Sequence, residues 1–143
     1  MSCAFCKNLN IKNRTIVEND LAKAFVGMQP IVPGHTLVIP KRCVAKFNEL
    51  TSEEIKAIFD IMDKVKTALQ KTFKCEGFNH AWNENLISGQ TVPHFHLHIV
   101  PRRQGDEGIY EYEPRKFLYR SGSRANSEQE ELSEVAELIK SNL

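Results

Sequence analysis

The sequence has no run of roughly 18 apolar residues, so a membrane-spanning helix is not expected. Charge of one sign is also missing. Lysines and arginines number 19 against 18 acidic residues, and the net +1 excludes a chain built to coat nucleic acid or to meet an acidic tail. No GxxxxGK[ST] phosphate loop, GxGxxG fingerprint or GxSxG elbow occurs, which removes support for P-loop, Rossmann and serine-hydrolase readings. Repeats and low-complexity tracts are lacking as well. The first residues, Met1-Ser2-Cys3-Ala4-Phe5-Cys6-Lys7, have neither the basic start nor the apolar stretch of a secretory leader, so a cytoplasmic protein is expected.

What is present is an ordinary soluble balance in 143 residues, 41% apolar and 26% charged, the size of a single domain. Four cysteines in a cytoplasmic chain suggest metal binding or reduced thiols rather than disulfides.

Residues 14–18 and 21–26 are β-prone and separated by Asn19-Asp20, which predicts a hairpin with a tight polar turn. Pro30, Pro33 and Gly34 break the chain before a short β-run at 35–39. The spacing predicts a helix over 51–72. Thr51 and Glu54 stand at capping-box separation, and Ile55, Ile58, Phe59, Met62, Val65 and Leu69 form one apolar stripe. A second helix is expected over 128–140, capped by Ser127 with Glu130 and apolar at Leu132, Val135, Ala136 and Ile139. Residues 77–83 and 94–100 read as strands flanking a polar loop over 84–93. Strands in hairpins with few helices give an α+β class with an antiparallel sheet. The stretch 102–126 reads as irregular, and its Arg102, Arg103, Arg115, Lys116, Arg120 and Arg124 as solvated surface.

Three of the five histidines fall in Pro93-His94-Phe95-His96-Leu97-His98-Ile99. On one strand, alternate residues share a face, so the imidazoles of His94, His96 and His98 would point together while Phe95, Leu97 and Ile99 anchor the opposite face. Imidazole is a nucleophile near neutral pH, and its neighbours can donate to phosphate oxygens. The same spacing also suits zinc ligation. His80, on a predicted strand, reads as structural.

Gly89-Gln90-Thr91-Val92-Pro93-His94-Phe95-His96-Leu97-His98-Ile99-Val100-Pro101-Arg102 resembles the signature of the histidine-triad family. Pro33-Gly34-His35-Thr36-Leu37-Val38-Ile39-Pro40-Lys41 resembles that family's second hallmark, and Cys3-Ala4-Phe5-Cys6-Lys7 the start of many members. The resemblance covers residues 3 to about 103. It implies one domain over 1–143, with its core at 3–103 and a tail at 104–143 carrying the terminal helix. It also implies a five-stranded antiparallel sheet with two helices, usually as a homodimer.

The implied activity is cleavage at the α-phosphate of dinucleoside polyphosphates or nucleoside phosphoramidates, with a purine nucleotide expected and no nucleic acid. His96 would form the nucleotidyl intermediate, His98 would contact the α-phosphate and His35 would support the triad. Asn83, Gln90 and Thr91 match positions that bind phosphate or leaving group. By the same resemblance Cys3, Cys6, Cys43 and His94 would form a closed structural Zn²⁺ site; Cys75 has no place in it. The sequence departs from the family at Gly27, where Asp or Asn usually holds the ribose hydroxyls. That departure keeps open a second reading, a nucleotide-binding signalling or scaffold protein with little turnover.

Overall fold

A computed structural model describes residues 3–106, 108 and 126–143. Five strands form one antiparallel sheet in the order β1-β2-β3-β5-β4. They are β1 (Thr15–Glu18), β2 (Ala22–Val26), β3 (Thr36–Pro40), β4 (Gly77–Ala81) and β5 (Leu97–Arg102). The helices are α1 (Ala4–Lys7), α2 (Ser52–Phe73) and α3 (Gln129–Lys140), with 3₁₀ segments at Leu9–Arg14, Phe47–Glu49 and Leu86–Ser88. Neither long helix is apolar enough to cross a membrane.

The β1–β2 hairpin closes as its residues require. The Asn19 side-chain oxygen accepts from the backbone N–H groups of Leu21 and Ala22, so a side chain supplies what the turn's backbone lacks. Likewise α2 begins at a reciprocal cap. Thr51 Oγ1 accepts from Glu54 N at 3.1 Å, and Glu54 Oε1 accepts from Thr51 N at 2.9 Å.

The central strands β2, β3 and β5 are buried on both faces, and this places the site. One face carries Ala24, Val26, Val38, Leu97 and Ile99 against Ile58, Ile61, Val65 and Leu69 of α2 and Leu132, Ala136 and Ile139 of α3. The other carries Phe25, Leu37 and Ile39 with Ile11. Because β3 lies between two layers, all five of its residues are buried, and its sequence runs apolar instead of alternating. Leu37 on β3 stands opposite His98 on β5, so His98 belongs to the face away from the helices.

Two expected elements begin elsewhere. The strand expected from residue 94 starts at Leu97, because the backbone before it is engaged with the 43–44 segment: Phe95 N donates to Val44 O at 2.6 Å. Ser127 does not cap α3. The cap position is Glu128, and Ser127 N donates instead to Met28 O. The expectation for 102–126 falls largely outside the described residues, as do Arg115, Lys116, Arg120 and Arg124.

Candidate functional site

β5 and the extended segment leading into it carry the triad, and the turn before β3 carries His35. Gly34 in that turn has φ +93°, and a Cβ there would come within 2.7 Å of the Phe73 ring. Only glycine fits the backbone and the packing at once. This turn delivers the His35 ring against His98, with Nε2 of His35 2.9 Å from Nδ1 of His98.

The hydrogen-bond partners assign each tautomer. Ile31 N–H donates to His35 Nδ1 at 3.0 Å, so the hydrogen of neutral His35 sits on Nε2 and is donated to His98 Nδ1. His98 must then carry its own hydrogen on Nε2. His96 Nδ1 lies 2.8 Å from the His94 carbonyl oxygen and can only donate to it. The Nε2 lone pair of His96 is therefore available. Burial holds the His96 imidazole below its ordinary value, which keeps this lone pair unprotonated at neutral pH. The His96 and His98 rings are 5.1 Å apart, and the edge-on ring of Phe5 fixes His96 from the other side at 5.1 Å.

The three triad rings do not all face one way. His96, His98 and His35 line a cavity of about 140 Å³, with Thr91, Gly27 and Arg14 on its walls. His94 turns aside. Its Nε2 is 2.7 Å from the Pro40 carbonyl oxygen and donates to it, leaving Nδ1 to face Cys3 Sγ at 3.3 Å and Cys6 Sγ at 3.6 Å. The expected common face fails because only His98 lies on the regular strand; the others precede it.

Cys3, Cys6, Cys43 and His94 bring one ligand atom each to within 4.8 Å of one another. Tetrahedral zinc–thiolate bonds place sulfurs about 3.8 Å apart, so this cluster has nearly the right dimensions. The Pro40 bond also gives His94 the tautomer a metal needs, since the other nitrogen is the hydrogen-bond donor. Cys75 lies apart and is half-buried.

The remaining predicted residues divide. Thr91 lines the cavity. Gln90 is buried with both amide ends engaged: Nε2 donates to Ala45 O at 2.8 Å and Oε1 accepts from Asn85 N at 2.9 Å. It braces the loop carrying Thr91. Asn83 is buried, with Nδ2 lacking a partner. His80 is exposed on β4 rather than part of a core. Sequence reasoning missed Arg14, a buried cavity residue, because an arginine at the head of a β-prone run gives no signal of burial.

A family model described as "HIT domain" matches residues 8–105. The bis(5'-nucleosyl)-tetraphosphatase (asymmetrical) of Schizosaccharomyces pombe is 38% identical over 96 residues, 67% of this chain and 53% of that protein. The chain thus spans about half the length of that relative. The bis(5'-adenosyl)-triphosphatase of Dictyostelium discoideum is 35% identical over 107 residues, covering 68% of this chain and 72% of that one. Among solved structures, a HIT-like protein from Bartonella henselae superposes with TM-score 0.77 at 28% identity, over 98% of this chain and 92% of its own. A zinc-bound histidine-triad protein from Mycobacterium smegmatis superposes with TM-score 0.71 at 26% identity, over 99% of this chain and 93% of its own.

Proposed function

From the premise that this chain belongs to the HIT-domain family, we propose that it hydrolyses nucleotide phosphoanhydride or phosphoramidate bonds at the α-phosphate, with His96 as nucleophile. One observation carries the reading: the bond from His96 Nδ1 to the His94 carbonyl leaves Nε2 as the only ring nitrogen able to attack, and His96 lines the cavity. The tetraphosphatase and triphosphatase names of its relatives support the phosphoanhydride half of this reading.

The chemistry then runs in two balanced steps. His96 Nε2 forms a bond to the α-phosphorus as the bond to the leaving oxygen or nitrogen breaks, and the leaving group departs with the bonding electrons and takes a proton from solvent, which the attacking water returns in the second step. As Nε2 bonds to phosphorus the ring becomes positive, and the Nδ1–H bond to the His94 carbonyl stabilises that charge. His98 Nε2–H, oriented through His35, is the donor to a non-bridging oxygen. Thr91, on the cavity wall, is a further donor to the phosphate or leaving group; Asn83 and Gln90 do not line the cavity and would reach it only by rearrangement of the 83–91 loop. Water then displaces His96 from phosphorus and releases a nucleoside monophosphate.

Cys3, Cys6, Cys43 and His94 would hold Zn²⁺, which would supply a fixed tie between the N-terminus and the segment bearing His96. A homodimer and a purine preference are part of the same proposal; light scattering and a comparison of bases test them.

The direct test is chromatographic detection of nucleoside monophosphate from diadenosine tetraphosphate, diadenosine triphosphate and an adenosine phosphoramidate. His96→Ala should abolish release, and retained turnover would refute the assignment. Gly27 favours the second reading, binding with little turnover, because it removes a side chain from the cavity wall. Tight binding with no product after hours would select it.

A further inference from the structure

Arg14 is 2% exposed, yet it lines the same cavity as His96 and His98. Its Nη1 donates to the Val26 carbonyl oxygen, and its guanidinium carbon stands 5.2 Å from the centre of the Phe25 ring. Its Nε has no hydrogen-bond partner, and no carboxylate pairs with it among the described residues. A buried cation without a counter-charge is unfavourable. Burial alone pulls Arg14 down to about 10 from its ordinary value, still fully charged at neutral pH. A protein tolerates such a group where an anion will complete it.

The neighbouring wall residue is Gly27, bonded directly to the residue whose carbonyl Arg14 holds. A Cβ there would meet nothing closer than 3.6 Å, so sterics do not demand glycine. The wall therefore has a cation and no carboxylate where space for one exists. Elsewhere in nucleotide recognition, a carboxylate grips bare ribose hydroxyls, whereas arginine accommodates a phosphate on the sugar.

We propose that this cavity selects nucleotides bearing a second phosphate on the ribose, bound by Arg14, in addition to the α-phosphate facing His96. The inference rests on the nucleotide reading above and narrows its substrate class. One anion meets His96 and His98, and the other meets the guanidinium, with Gly27 leaving room beside it.

Calorimetric titration of the full chain with adenosine 5'-monophosphate, adenosine 2',5'-bisphosphate and adenosine 3',5'-bisphosphate tests it. One bisphosphate should bind at least about tenfold tighter than the monophosphate, as a charge-assisted pair implies, and the two arms tell which hydroxyl is read. In Arg14→Gln that ratio should fall to near one. In Gly27→Asp the new carboxylate should pair with Arg14, repel the phosphate and reverse the order. Equal affinities in the unmodified chain overturn the inference and leave the nucleotide reading standing. A ratio unchanged in a folded Arg14→Gln overturns it too, since Arg14 would then serve no sugar phosphate. Should Arg14→Gln fail to fold, Gly27→Asp decides, and an unchanged order refutes the proposal. Failure of all three nucleotides to bind removes both readings together.

Discussion

A neutral imidazole attacks only through the nitrogen that carries no hydrogen, so in the proposed scheme what His96 Nδ1 touches decides which nitrogen is available. The loss in His96→Ala should exceed about 1,000-fold in kcat, as expected when a covalent step is removed. His35 acts through His98 and touches no reacting atom in the proposed scheme. His35→Ala should slow the reaction by about 10- to 100-fold while His98 stays in place, and His35→Gln, which keeps a donor, should recover part of it. An equal loss in both variants would mean that the bond to His98 is irrelevant. Spacing pointed to His96 and His98 as candidates, and only the family resemblance pointed to His35. Their tautomers were not legible, because they depend on the Ile31 amide and on main-chain carbonyls at His94 and Pro40 whose directions no motif encodes. Arg14 was invisible for a related reason: its burial comes from the packing of Phe25 and the Val26 carbonyl around it.

Among the elements, α2 shows how far local rules reach. Its cap at Thr51 with Glu54 follows from two side chains three positions apart, and the structure realises both bonds. Thr51→Ala should cost about 1 kcal/mol, measured by denaturant unfolding. Glu54 also receives the guanidinium of Arg42 at 2.7 Å, and that pairing, with the Thr51 bonds, holds its carboxyl below the ordinary value. A depressed acid contributes stability that is full above its unfolded value near 4.5 and is lost as pH falls through the folded value. The melting temperature should therefore drop more steeply below pH 4.5 in the unmodified chain than in Glu54→Gln; parallel curves would exclude the linkage. The same rule misplaced the start of α3, because Ser127 N is drawn to Met28 O by tertiary contact. The start of β5 was displaced similarly, since the pull of the 43–44 segment has no local signature.

For the molecule as a whole, an antiparallel sheet with two amphipathic helices was legible from two apolar stripes and the β-prone runs, and the five-strand count from the family resemblance, whereas the strand order β1-β2-β3-β5-β4 rests on long-range pairing that no motif encodes. The cysteine cluster was legible only through the family resemblance, because it gathers Cys3, Cys43 and His94 from remote parts of the chain. Such a tie should be measurable. Adding Zn²⁺ to chelated protein at about 100 times its Kd should contribute about 2.7 kcal/mol, raising the melting temperature by several degrees. Cys43→Ser should remove most of that rise; an equal rise in the variant would exclude Cys43 as a ligand.

The glycine at 34, pressed against the ring of Phe73, has a mechanical corollary. Nothing compressible separates the last turn of the long helix from the residue preceding His35. A larger residue at position 34 would therefore have to move either that ring or the turn that carries His35. Gly34→Ala should therefore displace the His35 ring from His98, read as a weakened His35–His98 contact in the histidine NMR signals, and unchanged signals would show that the turn absorbs the methyl group.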